Sequence, residues 1–220
     1  MKKGFFICFL GIDGSGKTTL AKSLVKDLKR NKIESKYLWW LEAENSIIRR
    51  FLRFLIPKKE KSKDKYSIKT SKNLTEFPLL GSIYQYIVFI DYLRQGFLKI
   101  WIPLIFGKNI ICDRYIYDVI ISFSIEFNYS QKKFETMLSK FVHLFPEPNL
   151  TFLIDIPEEV AFKRKDDIHK FNYLTLQRLT YLDLAKKYEM IIFDGSKELT
   201  ELKSKIWNEV SKFIIKGRKN

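Results

Sequence analysis

The chain has 220 residues, 46% of them hydrophobic and 30% charged, which suits one folded domain with a real core and excludes a disordered or low-complexity chain. Lys and Arg number 40 against 25 Asp and Glu, a formal charge of +15; such a field suits nucleotides, nucleic acid or an acidic membrane, and equally a plain lysine-rich surface. Cys8 and Cys112 each sit in a short apolar run, which excludes a disulfide framework and points to buried strand thiols in a reducing cytoplasm.

The elements follow in chain order. Phe5 to Leu10 is an unbroken apolar run and predicts a buried strand. Its flanking lysines imitate a signal peptide, but the run is brief, Asp13 follows closely and no small-residue cleavage site appears, so no targeting segment is expected. Gly11 to Gly16 is a glycine-rich loop. Leu20, Leu24, Val25 and Leu28 then recur at helical spacing from Lys17 to about Arg30. Ser35 to Leu41 predicts a second strand, and Asn45 to Ile56 a helix ended by Pro57. Lys58 to Lys65 is a charge run without apolar period, read as a loop or flexible insertion. Ser82 to about Trp101 predicts a long apolar helix; Asp91, Arg94 and Lys99 within this stretch exclude a membrane span.

Asn109 to Asp113 predicts the third strand, with helices through Phe127 and from about Ser130 to Leu144. Leu150 to Ile156 predicts the fourth strand, and Pro157-Glu158-Glu159 opens a helix with proline and acids in its first turn. A helix ending near Lys186, a last strand from Met190 to Phe193 and a final helix from about Leu199 to Ile214 complete the chain. Short buried strands alternating with helices mean an α/β fold: a five-stranded parallel sheet with helices on both faces. Ligands bind such sheets beyond the carboxyl ends of the strands. Gly11, Asp113, Asp155 and Asp194 all stand at such ends.

Gly11-Ile12-Asp13-Gly14-Ser15-Gly16-Lys17-Thr18 fits G-x-x-x-x-G-K-[ST] with a strand leading in and a helix leading out. Glycines let backbone N–H groups turn onto phosphate oxygens, and the helix adds its positive end. Lys17 would reach the β- and γ-phosphates of ATP, and Thr18 would offer its hydroxyl to Mg²⁺. Asp113 at a strand end can hold the same ion, and Arg114 can give a forked contact to phosphate. His143 and His169 are isolated in the sequence and receive no role.

The loop through Thr19 resembles that of the thymidylate kinases, a P-loop NTPase family with a three-layer fold. Three further segments are similar in order: Asp113-Arg114-Tyr115; Pro148 to Arg164; and Tyr181 to Ala185 followed by Ile191 to Ser196. The resemblance implies one P-loop kinase domain over residues 1–220, with a basic acceptor-side insertion at about 45–80 and a lid at about 163–172. It implies ATP and Mg²⁺, phosphoryl transfer to a nucleoside monophosphate (dTMP by default), a homodimer and a cytoplasmic setting. Asp13 would face the acceptor sugar hydroxyl. Lys17, Arg114 and Arg164 would carry catalysis. Gly14 leaves the loop without an arginine, so Arg164 at the lid would supply the cation or stack on adenine. Asp194, Gly195 and Ser196 would pass the adenine edge.

The departures fall on the acceptor side. The family's R-E-P-G is replaced by Leu38-Trp39-Trp40-Leu41-Glu42-Ala43, the arginine after Asp91 is displaced to Arg94, and Ile116-Tyr117-Asp118 stands where a serine usually follows D-R-Y. Trp39, Trp40, Tyr84 and Tyr92 could offer aromatic faces to a base. Two alternatives follow. One is a kinase of a hydroxyl acceptor, a nucleoside or sugar-like metabolite, with Asp118 or Asp13 as base. The other is an ATP-switched nucleic-acid- or membrane-binding protein, for which the basic stretch Arg49 to Lys72 speaks. That stretch has no recognised nucleic-acid motif, and its Phe51, Leu52, Phe54 and Leu55 suit a membrane surface.

Overall fold

The computed structural model describes residues 3–40, 78–164 and 171–219. Five strands form one sheet: β1 Phe6–Leu10, β2 Ser35–Trp39, β3 Asn109–Asp113, β4 Leu150–Asp155 and β5 Ile191–Asp194. Their order is β2-β3-β1-β4-β5, and every pairing is parallel. Around the sheet run α1 Lys17–Arg30, α2 Pro78–Gly96, a π-helical turn Phe97–Trp101, α3 Ile102–Ile105 and α4 Ile116–Glu126. Then come α5 Gln131–Val142, α6 Glu158–Arg164, α7 Phe171–Lys187 and α8 Leu199–Lys219.

β1 is the central strand, and all five of its residues are buried. Side chains alternate across a strand, so a run apolar on every residue needs cover on both faces. Phe6, Cys8 and Leu10 join one core with Ile110, Cys112 and Leu153 and with residues of α2, α4, α5 and α7. Ile7 and Phe9 join the other with Ile111, Phe152 and Ile154, covered by Leu20, Leu24 and Leu28 of α1 and Leu202, Ile206 and Val210 of α8. β2 and β5 are the edges, and their partly exposed patterns follow from that place.

The long apolar helix departs from its expected regularity. α2 ends at Gly96, a π-helical turn intervenes, and α3 follows with Pro103 in its first turn. A proline inside a helix lacks an N–H and crowds the carbonyl four residues earlier, and a wider turn relieves both. The expected helix at Asn45 to Ile56 and the charge run at Lys58 to Lys65 lie outside the described residues. No described helix is long and apolar enough to cross a membrane.

Candidate active site

The loop after β1 crosses the carboxyl ends of the sheet. Gly11 has φ 141°, and a Cβ there would stand 2.4 Å from the Ile154 carbonyl oxygen. Gly14 has φ 85°, and its Cβ would meet the Ala161 oxygen at 2.8 Å. The loop therefore lies flat against β4 and the base of α6, a path open only to glycine. Gly16, also at positive φ, caps α1. Ser15 is buried, and its hydroxyl has no hydrogen-bond partner among the described residues. Lys17 is buried too: Nζ donates to the Ile12 oxygen at 2.9 Å and stands 3.5 Å from Asp13 Oδ1. Burial pushes its ammonium pKa down, against the opposing pull of Asp113 and Asp118. Thr19 faces outward beside Lys22, Lys26, Arg30 and Lys203 in an open cleft of about 390 Å³.

Asp113 closes β3 and is fully buried. Its Oδ2 accepts from the Thr18 hydroxyl at 2.5 Å and from the Tyr37 hydroxyl at 2.9 Å, while Oδ1 has no partner among the described residues. Burial raises its pKa; Lys17, Thr18 and Tyr37 oppose that shift. A buried carboxylate oxygen without a donor, beside a threonine hydroxyl at a helix start, is the donor chemistry a hard cation takes. No three His, Cys, Asp or Glu side chains group as a metal site by themselves among the described residues.

Arg114 has φ 68°, an uncommon conformation for a residue with a Cβ. Its N–H donates to the Phe9 oxygen at 2.9 Å, and its carbonyl accepts the Cys112 thiol at 3.0 Å and the Cys8 thiol at 3.9 Å. The guanidinium lies between Asp13 of the loop, to which Nη2 donates, and Asp118 of α4, which Nη1 reaches at 2.9 Å. Lys17, Thr18, Asp113, Arg114 and Asp13 thus meet at the carboxyl ends of β1 and β3.

On the other side, Arg164 Nη1 donates to the Gly195 oxygen at 3.3 Å. The Gly195 N–H donates to the Asp155 oxygen at 2.7 Å, and a Cβ at Gly195 would meet the Ser15 oxygen at 3.1 Å. Asp194 accepts from the Ser196 hydroxyl at 2.5 Å and its N–H at 2.9 Å, bonds that hold its carboxyl below the ordinary pKa. The turn Asp194-Gly195-Ser196, Arg164 and the phosphate loop are therefore neighbours.

Several expectations change. Asp118, read as a possible base, is fully buried and already accepts from Arg114, the Tyr115 N–H at 3.0 Å and the Tyr181 hydroxyl, so it faces no acceptor. Trp40, Tyr84 and Tyr92 are buried core residues rather than a platform for a base; Trp40 stacks on Tyr92 with ring centroids 5.8 Å apart. Trp39 ends β2, half-buried. Asp91 is buried and takes Arg94 Nη2 and Gln95 Nε2, each at 3.0 Å. Of the expected lid, residues 165–170 lie outside the described residues, as does 41–77 of the basic acceptor side. Tyr37, Tyr181 and Arg178 were missed. Arg178 binds Asp155 at 2.7 and 3.0 Å and Glu158 at 2.8 Å, tying α7 to the end of β4 and the start of α6.

The sequence model of the family described as thymidylate kinase matches residues 9–206, which span every site residue named above. The chain belongs to the thymidylate kinase family. Family members similar along nearly their whole length include a probable thymidylate kinase of Methanocaldococcus jannaschii, 27% identical over 217 residues that cover 97% of each chain. A probable thymidylate kinase of Sulfurisphaera tokodaii is 30% identical over 91% of this chain and 92% of its own. The thymidylate kinase of Plasmodium falciparum is 26% identical over 97% and 93%. The α/β fold with its all-parallel five-stranded sheet is the P-loop fold expected of this family.

Proposed function

We propose that this chain transfers the γ-phosphoryl group of ATP to dTMP, giving dTDP and ADP. The family match across residues 9–206 carries this reading. An oxygen of the acceptor phosphate attacks the γ-phosphorus while the bond to the β-phosphate oxygen breaks. A phosphate acceptor is already a nucleophile, so a base is not needed, which agrees with an Asp118 that is buried and fully occupied.

The loop N–H groups from Gly11 to Gly16 and the start of α1 would cradle the ATP phosphates, with Ser15 and Thr19 at the ends of that cradle. Lys17 would leave its Ile12 contact for the β- and γ-phosphate oxygens. Thr18 and Asp113 would hold Mg²⁺ with phosphate oxygens; when bound, the ion neutralises charge on the transferring group. Arg114 would take the acceptor phosphate and Asp13 the acceptor sugar hydroxyl. Arg164 would supply the lid cation, and Asp194, Gly195 and Ser196 would border adenine. This reading treats the chain as one kinase domain in the cytoplasm, with a basic acceptor-side insertion at about 45–80 and a lid at about 163–172.

The second copy of the implied homodimer would sit on α2, the π-helical turn and α3. Ile83, Tyr86, Ile90, Phe97, Trp101 and Ile105 are each 47–60% exposed. Their spacing of three, four or seven residues is that of a helix-packing seam.

An ADP-release assay across dTMP, dUMP, other monophosphates, thymidine and simple sugars tests the acceptor. Turnover with dTMP well above that with thymidine is expected. Activity confined to hydroxyl acceptors would overturn the reading.

A further inference from the structure

We infer that Asp118 is a positioning residue: it acts through Arg114 to fix where the acceptor's phosphate binds, and the Tyr181 hydroxyl locks it in place. The inference rests on the proposed acceptor, because it assigns Arg114 to that acceptor's phosphate.

Three observations carry it. First, the two carboxylates on the Arg114 guanidinium are not equivalent. Asp118 is fully buried, whereas the Asp13 side chain is 33% exposed, on the loop that faces the ligands. Second, Asp118 is anchored on three sides. It is in the first turn of α4, its Oδ2 takes the Tyr115 N–H at 3.0 Å, and its own N–H donates to the Tyr115 oxygen at 3.0 Å. Its Oδ1 takes both Arg114 Nη1 and the Tyr181 hydroxyl, which arrives from α7, 63 residues on. Third, Asp13 has an alternative cation in Lys17 Nζ at 3.5 Å.

A guanidinium presents several donors in one rigid fork, so a carboxylate fixed on one nitrogen sets the direction of the other. Asp118 is the permanent partner behind Arg114. Asp13 is the partner that an incoming phosphate displaces from Nη2, becoming free to turn toward Lys17 and the acceptor sugar. The carboxylate in this unusual position therefore does not repel the acceptor: it is masked by Arg114 and aims that residue's other nitrogen outward. Asp118 touches no substrate; its effect is on the phosphate and not on the nucleoside.

That distinction sets the test. Calorimetric titration measures dTMP and thymidine binding to the full-length protein, to Asp118→Asn and to Tyr181→Phe. The wild type binds dTMP more tightly than thymidine. Asp118→Asn is expected to lose roughly tenfold or more in dTMP affinity and to change thymidine affinity by less than about twofold, as for one lost charge-assisted contact. Tyr181→Phe, which keeps the ring and removes only the hydroxyl, moves the dTMP-to-thymidine ratio the same way by about two- to fivefold. It decides the matter if Asp118→Asn does not fold. Equal losses for both ligands, or an unchanged ratio, overturn the inference, since a merely structural role would weaken both alike. A wild type that shows no preference for dTMP overturns the acceptor reading itself.

Discussion

Gly14 shows how one residue constrains the chemistry. Its left-handed φ of 85° and the Ala161 oxygen 2.8 Å from where a Cβ would stand leave no room for a side chain. An arginine therefore has no place at this point of the loop, and in the proposed mechanism a cation for the transferring phosphoryl group would come from elsewhere. Gly14→Ala is expected to destabilise the protein by about 1–3 kcal/mol through backbone strain and the clash. Urea denaturation measures this, and an unchanged midpoint would mean that the loop path is wrong. Arg164 is the candidate cation, at present bonded to the Gly195 carbonyl. Arg164→Ala should lower kcat by about one to three powers of ten, with a smaller rise in KM for ATP. A raised KM for ATP at unchanged kcat would instead assign Arg164 to the adenine side, where its Gly195 bond already lies. What the sequence disclosed at this scale was local: the loop, Lys17, Thr18 and the Asp113-Arg114 pair each declare themselves within a few residues. Tyr37 on Asp113 and Tyr181 on Asp118 span 76 and 63 residues, and no short-range pattern reports such contacts.

Among elements, the juxtaposition of β1 and β3 makes the site. Cys8 and Cys112 are register partners across these strands and stand as free, fully buried thiols. Burial pushes both thiol pKa values well up; the nearby Asp113 and Asp118 add to both shifts, Cys112 adds to that of Cys8, and Lys99 opposes that of Cys112. Neither cysteine should react with an aromatic disulfide reagent in the native protein, even at pH 9, and both should react at once in guanidinium chloride. Fast native labelling would contradict the strand assignments. The sign of the linkage follows from the same shift. Above an unfolded cysteine value of about 8.5 the unfolded chain releases protons that the native state retains, so stability falls as pH rises. Strand existence was readable because β1, β3 and β4 are short apolar runs. The π-helical turn before Pro103 was not, since hydropathy is blind to a change of winding within an apolar stretch.

At the scale of the whole molecule, α2, the π-helical turn and α3 present an exposed apolar row of Ile83, Tyr86, Ile90, Phe97, Trp101 and Ile105 among the described residues. An apolar stripe of this length in water favours burial against a matching surface, and two copies of one seam match by symmetry. Sedimentation should therefore find a dimer, and Ile90→Glu, placing a charge where the side chain is 60% exposed, should shift it toward monomer. A monomeric wild type at micromolar concentration would contradict the seam. The parallel sheet could be derived from alternation of strands and helices. Its order could not, because β2-β3-β1-β4-β5 depends on which crossover passes which strand. The acceptor side was least readable: a lone Asp118 in sequence suggests a base, and only its burial against Arg114 and Tyr181 shows otherwise.

The chain converts dTMP to dTDP with ATP. Chromatographic detection of dTDP from dTMP, ATP and Mg²⁺ tests it most directly, with wild type and Lys17→Ala run side by side. With Lys17 proposed to act on phosphate charge, its loss should lower the rate by about a thousandfold while the thermal transition stays near that of wild type. Wild-type dTDP formation that nearly vanishes in Lys17→Ala is the predicted result; no dTDP from wild type, or formation within tenfold of wild type in the variant, would contradict it.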